Sequence, residues 1–322
     1  AANGGTLVAN SGFDGGGGSG GSVYVKCGSI SGSGSISAAG ADRAGAAGGG
    51  GGGCIAVVYD PAGQARLAQP SLTFNTMCGA YWNYTRNFQN NVRCGYIGTV
   101  YFPDAALLKE TINVNGQVYL GTCRWSPSSL TITSRFVAFP QEGFELDVAG
   151  DVVISTRNTS SPAGRLDVGG SQLVQYPSCF FFSVVDEGRR RFPVAAPATF
   201  RVGGDLKLGN GTRLCDFVYS AAKLTAEDAD SAIPKGGTVR VDGRVEISAG
   251  CWFSMVSHPV TGVSPALSCR EFDLKSGGCF NASRMGYIGG YDSAVTFGIE
   301  GQPSGATGCG PGAQPVAAAQ TG

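Results

Sequence analysis

A nine-residue pattern recurs along the chain and restricts its fold more than any other feature. Apolar residues alternate with other residues on both sides of a central glycine. Because an alternation of period two places apolar side chains on one face of a strand, each match predicts a strand with one buried face. The pattern is complete at residues 112–120, 146–154, 200–208 and 239–247, and partial near 130–136, 166–174 and 272–280.

The repeated glycine distinguishes between all-β folds. A glycine that points inward removes a side chain where the backbone bends, as at a corner of a coil. A sandwich or barrel also contains alternating strands, but it has no reason to repeat one pattern around a fixed glycine. Self-similar strands separated by segments of variable length instead predict a solenoid with inserted loops. We therefore predict an all-β chain folded as a right-handed parallel β-helix (β-solenoid).

Changes in composition and pattern along the sequence suggest one domain, residues 1–322, with four parts. Residues 1–60 are Gly-rich and also contain alternating strands, so the glycine run 48–53 predicts a tight, ordered loop. Residues 61–110 read as an irregular, aromatic-rich insertion, 111–300 as regular repeats, and 301–322 as a tail. Helical signals are sparse, and they predict short helices at 104–111 and 220–233. The aromatic residues of the insertion are Phe74, Tyr81, Trp82, Tyr84 and Phe88.

Charge restricts the partners of the chain. Charged residues make up 14% of the sequence, and the formal net charge is zero. Electrostatic binding to nucleic acid or to anionic lipid is therefore not expected. No apolar segment approaches the length of about 20 residues that spans a bilayer, so membrane insertion is not expected either. Weak repulsion between copies favours self-association.

The glycine-rich part carries a family likeness. Residues 15–60, which read GGGGSGGSVYVKCGSISGSGSISAAGADRAGAAGGGGGGCIAVVYD, resemble Gly-rich repeats of large bacterial surface proteins. Cys54 stands where those repeats usually have arginine. The segment GTVYF at 98–102 is similar to another strand of that family, and 200–210 resembles the stalks of adhesins and autotransporter passengers. The resemblance implies parallel β-helices at bacterial cell surfaces, without a common enzyme activity.

Eleven cysteines indicate an oxidising compartment, and hence an extracellular or cell-surface location. The alternative is buried free thiols in a cytosolic protein. No C-x-x-C pair occurs and there is one histidine, so no zinc site is expected. Cys123, Cys179, Cys215 and Cys251 follow the starts of their repeats at similar distances, which predicts a shared corner. Candidate bonds are Cys179–Cys215 or Cys215–Cys251 between repeats, and Cys78–Cys94 and Cys269–Cys279 as local closures. The odd count leaves one thiol free or bonded between subunits.

Catalytic chemistry is not expected, and neither is a cofactor or a metal. His258 lies in a turn-like context without a nucleophile partner. Glu227, Asp228 and Asp230 fit a solvated loop better than a calcium site. Asp186 and Glu187 with Arg189, Arg190 and Arg191 would serve a polysaccharide lyase or hydrolase on a β-helix, but a solvated turn explains them equally well.

The expected function is an extracellular structural protein whose copies stack head to tail. A solenoid ends in two open edges, and neither terminus suggests a cap. The candidate assembly residues are Thr6, Leu7, Val8 and Val316. The expected partner is the chain itself, with surface glycans as a further class. The alternatives are an adhesin that stacks sugars on Tyr81, Trp82 and Tyr84, or a polysaccharide enzyme. Candidate glycosylation sites are Asn83, Asn158, Asn210 and Asn281.

Overall fold

A computed structural model describes nine segments of the chain. They are residues 17–42, 49–79, 97–141, 143–157, 164–169, 198–209, 213–217, 237–256 and 266–282. The regular secondary structure of these segments is almost entirely β-strand, in two sheets in which every strand pair is parallel. The predicted all-β class is confirmed at this level.

The described elements are nineteen strands and one short helix. The strands are β1 Ser22–Lys26, β2 Ser33–Ser37, β3 Cys54–Val58, β4 Ser71–Asn75, β5 Thr99–Phe102, β6 Val114–Leu120, β7 Arg124–Trp125, β8 Leu130–Thr133, β9 Phe136–Phe139, β10 Glu145–Val148, β11 Val152–Ser155, β12 Arg165–Val168, β13 Thr199–Val202, β14 Leu206–Leu208, β15 Arg213–Phe217, β16 Thr238–Ile247, β17 Trp252–Val256, β18 Ala266–Leu274 and β19 Cys279–Asn281. The helix α1, Pro61–Gln64, begins after Asp60, whose carboxylate accepts from two backbone N–H groups.

The strands form three rows; the described strands before β6 alternate between rows 1 and 3, and from β6 onward the chain visits all three rows in a constant order. Row 1 is β1, β3, β5, the end of β6, β9, β12, β15, β17 and β19. Row 2 is β7, β10, β13 and the first halves of β16 and β18. Row 3 is β2, β4, the start of β6, β8, β11, β14 and the second halves of β16 and β18. One visit to the rows in this order is here termed a pass.

Inward-facing residues of the three rows share one core. Along β16, for example, Val239, Val241, Val245 and Ile247 are buried and alternate with charged residues that face outward. Because parallel strands pair in register, each buried position lies above a buried position of the previous pass. Stacks of Val, Ile, Leu and Phe therefore run through the molecule.

The central glycines of the pattern mark two different bends. Gly150, Gly204 and Gly243 lie at the bend from row 2 to row 3, where a Cβ on Gly243 would lie 2.5 Å from the Gly204 carbonyl oxygen. Gly116 lies at the bend from row 3 to row 1, with φ +151°. At the same bend one pass later, Ser134 replaces glycine and has φ +52°. Close approach of successive passes thus requires glycine at the bend from row 2 to row 3, whereas the bend from row 3 to row 1 requires a positive φ.

Just before the row 1 strands of the first passes, the interior is closed by backbone contacts between glycines, beside buried side chains such as Phe74 and Phe102. Gly53 N donates to the Ala38 carbonyl at 2.7 Å, and Gly98 N donates to the Thr76 carbonyl at 2.7 Å. A Cβ on Gly53 would lie 2.0 Å from the Gly21 oxygen, so no larger residue fits there. Residues 49–53 of the predicted ordered loop are described and are held by such contacts.

Two expectations for residues 61–110 need correction. The predicted helix at 104–111 is absent, because Asp104 Oδ1 accepts from Ala106 N at 2.9 Å and from the Tyr59 hydroxyl, which forms a turn instead. Burial, followed by the hydrogen bond to Asp104, raises the pKa of Tyr59 well above its usual value. The region expected to be an irregular insertion contributes β4 and β5 to rows 3 and 1. The helix expected at 220–233 lies outside the described residues.

Candidate assembly surface

The last described strands expose residues that occupy core positions in earlier passes. Phe272 pairs with Val245 and is 41% exposed, whereas Val245 is 0% exposed. Leu274, at 47%, pairs with the fully buried Ile247. Phe280, at 42% exposed, pairs with Phe253, which is fully buried. We define Phe272, Leu274 and Phe280 as the apolar end.

Aromatic contacts organise the apolar end. The rings of Phe272 and Phe280 meet edge to face, with centroids 5.3 Å apart, and Phe280 meets Phe253 at the same distance. These rings join row 3 to row 1 across the interior. The apolar end is thus one connected patch, and burying it would be favourable at roughly 25 cal/mol per Å² of apolar surface.

Backbone edges accompany the apolar end. Within the described segments, β18 pairs only with β16, and β19 pairs only with β17. At the opposite end, β1 pairs only with β3, and β2 pairs only with β4. Such edges present N–H and C=O groups that can template another strand. We define β18 and β19 as the C-terminal edge, and β1 and β2 as the N-terminal edge.

The outward face of row 2 carries matched charges. Arg201 lies between Asp147, at 3.6 Å, and Asp242, at 3.1 Å, which belong to the passes on either side. Arg124 lies 3.7 Å from both Glu145 and Asp147, which belong to the next pass. Hydrogen bonds, first from Arg240 and then from Arg201, lower the pKa of Asp242. Exposed pairs add little stability, but they leave this face with neither a net charge nor an apolar patch.

Aspartates connect successive passes at the bend from row 2 to row 3. Asp151 Oδ1 accepts from the backbone N of Asp205 at 2.8 Å, and Asp205 Oδ1 accepts from that of Arg244 at 2.9 Å. The backbone hydrogen bond from Arg244, and then the side chain of Lys207, lower the pKa of Asp205. These carboxylates act as structural acceptors rather than as acid–base groups.

A buried ion pair lies on the outward side of row 1, and the sequence pattern did not single it out. Arg165 and Asp167 are fully buried and joined by hydrogen bonds of 2.7 and 2.6 Å, with the guanidinium 4.3 Å from the Phe136 ring centroid. Two charges spaced two residues apart on a strand share a face, which is the signal that could have found them. Each charge neutralises the other, so the pair is structural.

Tyrosines line the outward side of row 1 in the early passes. Tyr24, Ala56, Tyr101 and Tyr119 occupy one column. Tyr24 is 67% exposed and Tyr101 is 39% exposed, with the small Ala56 between them. Two exposed aromatic faces separated by about two strand spacings, roughly 10 Å, form a surface on which planar groups can stack.

The described cysteines do not form the predicted arrangement. Cys269 faces the core and Cys279 lies on the outward side of row 1 beside Trp252; both are free thiols, so this pair is not brought together. Burial raises the pKa of Cys269. The expected shared corner is also not formed, since Cys123 follows β6, Cys215 lies within β15 and Cys251 precedes β17. Cys27 and Cys54 are likewise free thiols.

Many predicted residues lie outside the described segments. Of the glycosylation candidates, Asn281 lies in β19. The residues outside are Thr6, Leu7, Val8, Tyr81, Trp82, Asn83, Tyr84, Phe88, Cys94, Asn158, Cys179, Asp186, Glu187, Arg189, Arg190, Arg191, Asn210, Glu227, Asp228, Asp230, His258 and Val316. Cys78 is described and packs against the outer cluster of Ile97, Phe136 and Ala138.

The described residues hold neither a metal-ligand cluster nor a membrane-spanning helix. They contain no group of three or more His, Cys, Asp or Glu side chains suited to a metal ion. They also contain no helix of the length and apolarity that crossing a membrane requires. In comparisons with known proteins, no family model, no curated protein and no solved structure matches the chain.

Proposed function

We propose that this chain is an extracellular structural subunit, folded as a right-handed parallel β-helix, whose copies stack head to tail into filaments or a surface matrix. Three rows of parallel strands, visited in a constant order from β6 onward, support the coil. Parallel strands joined by crossovers are right-handed in nearly all proteins, which supports the hand. The extracellular location is supported by the eleven cysteines and by the resemblance to bacterial surface repeats.

The apolar end is the observation that carries the assembly proposal. Core positions that are buried in one pass are exposed in Phe272, Leu274 and Phe280, beside strands that are paired on one side among the described residues. The opposite end is also a one-sided edge, with strands that run in the same direction. A contact between two different ends generates a filament when successive copies are related by translation along the stacking direction and the contact does not close into a ring. Zero net charge leaves little repulsion between copies.

Electron microscopy of the purified chain, with and without reductant, tests the proposal. We expect regular fibres with an axial repeat, and their loss on reduction would identify an intersubunit disulfide. Phe272→Lys should abolish the fibres because it places a charge in the apolar end. Tyr101→Lys, at an exposure of 39% against 41% for Phe272, should leave them intact because it lies on the side of row 1. Dispersed single rods from the unsubstituted chain would refute the assembly proposal.

The tyrosine column supports a second candidate function, an adhesive surface that binds glycans. Sugar rings stack on exposed aromatic faces, and Tyr24 and Tyr101 present two such faces in one column. A glycan array distinguishes this candidate from the first. Binding that is lost in both Tyr24→Ala and Tyr101→Ala, but kept in Phe272→Lys, would establish adhesion through this column. An array without binding would exclude it.

A further inference from the structure

One column of inward-facing positions in row 1 changes its residue type along the molecule. From the C-terminal edge to the N-terminal edge, the column is Phe280, Phe253, Leu214, Leu166, Val137, Gly116, Gly98, Gly53 and Gly21. The last three steps extend the register of the paired strands by one residue, and hydrogen bonds such as Cys54 N to the Gly21 carbonyl agree with it. A large aromatic ring thus begins the column and a glycine ends it.

The terminal glycine differs from the glycines behind it. A Cβ on Gly98 would lie 1.8 Å from the Gly53 oxygen, and one on Gly53 would lie 2.0 Å from the Gly21 oxygen, so close packing explains both. A Cβ on Gly21 meets no described atom within 4 Å. The φ angle of Gly21 is also not positive, so its backbone conformation does not require glycine. Neither packing nor backbone conformation within the described residues therefore accounts for the missing side chain at Gly21.

We propose that β19 of one copy pairs in parallel with β1 of the next, and that the Phe280 ring covers the open position at Gly21. This inference rests on the head-to-tail assembly proposed above and specifies its contact. In the register of row 1, Asn281 shares a column with Ser22, so these residues become neighbours across the junction. The join is proposed for row 1 alone, since β19 begins a pass for which the structure describes no row 3 strand.

Continuity of direction supports this pairing. Every described pair in row 1 is parallel, so a second copy translated along the stacking direction presents β1 to β19 in the orientation that the row already uses. An antiparallel contact between two C-terminal edges would place Phe280 against Phe280 and leave Gly21 uncovered. The parallel contact places a large side chain over a missing one, which is the complementarity that dense interiors require.

An engineered cross-link tests the register directly. Neighbouring strands lie about 4.8 Å apart, within the Cα separation of about 4.4–6.8 Å that a disulfide accepts. The Ser22→Cys/Asn281→Cys variant, made together with Cys54→Ser because Cys54 pairs with residue 22 in the same copy, should therefore form a covalent ladder of multimers under oxidising conditions. Mass spectrometry of unreduced peptides should show the two introduced thiols joined. A control, Ser22→Cys/Lys275→Cys, should show no such peptide, because Lys275 lies beyond row 3.

Filling the open position gives an independent test. Gly21→Leu should raise the critical concentration for fibre formation by on the order of tenfold or more. Gly28→Leu is the matched control, because a Cβ on Gly28 also meets no described atom within 4 Å but does not lie in the Phe280 column. Combining Gly21→Leu with Phe280→Ala should recover part of the loss, since the smaller side chain then makes room for the larger one.

The outcomes separate this inference from the proposal on which it rests. Fibres from the unsubstituted chain, without the cross-linked peptide and without any effect of Gly21→Leu, would overturn the β19–β1 register and leave head-to-tail assembly standing. No fibres from the unsubstituted chain would overturn both. The cross-link together with the selective effect of Gly21→Leu would establish the register.

Discussion

The early and late passes build their interiors in different ways from one strand register. Around Gly53 and Gly98, the backbones of rows 1 and 3 hydrogen-bond to each other directly, and no side chain lies between them. Around Phe139 and Phe144, stacked rings with centroids 4.7 Å apart fill the corner between rows 1 and 2. The residue type therefore decides whether backbone or side chains close a corner, whereas the register along the rows stays constant.

The two regions also differ on their outward faces. Hydroxyl and amide side chains cover row 3 in the early passes, where Ser33, Ser35, Ser71 and Thr73 face outward. Paired charges cover rows 2 and 3 in the late passes. The backbone contacts around Gly53 and Gly98 thus coincide with a neutral outward face on row 3, whereas the late passes carry charged outward faces.

Removing a ring from the interior of the late passes should have the largest effect. Phe200→Ala should cost about 3–5 kcal/mol in the free energy of unfolding, because Phe200 is fully buried between Leu146 and Val239. Phe200→Leu keeps most of the volume and should cost less than about 2 kcal/mol. Urea denaturation followed by circular dichroism measures both. Equal losses for the two variants would contradict a tightly packed late interior.

Adding one methyl group at Gly98 should have the second largest effect on stability. Gly98→Ala should cost about 3 kcal/mol, because the new Cβ would lie 1.8 Å from a backbone oxygen that cannot move aside easily. The control is Gly209→Ala in the late passes, where the nearest atom lies 4.0 Å away, and it should be neutral or stabilising by about 0.5 kcal/mol. Urea denaturation compares the free energies of unfolding of the two variants. A Gly98→Ala variant as stable as the unsubstituted chain would refute the close backbone approach at Gly98.

The aspartate connections of the late passes should give the smallest and most pH-dependent effect. The pKa of Asp205 is lower in the folded chain, so its stabilisation is fully present above the unfolded pKa of about 3.9 and is lost as the pH falls through the folded pKa. Asp205→Ala should cost about 0.5–1 kcal/mol at neutral pH and little in acid. Asp205→Asn keeps an acceptor for Arg244 N and should cost less. Unfolding at several pH values measures this, and a pH-independent loss for Asp205→Ala would contradict it.

The strands were predictable from the sequence because alternation is a local property. The complete matches at 146–154, 200–208 and 239–247 all place their glycine at the bend from row 2 to row 3. The match at 112–120 marks another bend, and the pattern could not distinguish the two because both favour glycine, one through close approach of the backbone and the other through a positive φ. The helix expected at 104–111 failed because Asp104 bonds within a turn and to Tyr59 from the previous pass.

The surface and the ends were less predictable because they depend on neighbours that are distant in sequence. Arg201 and Asp242 are 41 residues apart, and they meet only because the segment between their passes has its particular length. The partial match at 272–280 was visible, but its exposure follows from having no further pass over it among the described strands. The cysteine pairs between repeats assumed one shared corner, whereas Cys123, Cys215 and Cys251, the described members of that set, lie at different positions relative to their strands.

The parallel pairing of every described strand has a mechanical consequence. The hydrogen bonds between passes point along the stacking direction, so tension in that direction loads them in series, one pass after another. Each pass contacts mainly its two neighbours and yields without dismantling the rest. We therefore expect the chain to lengthen in steps under axial tension, one pass at a time.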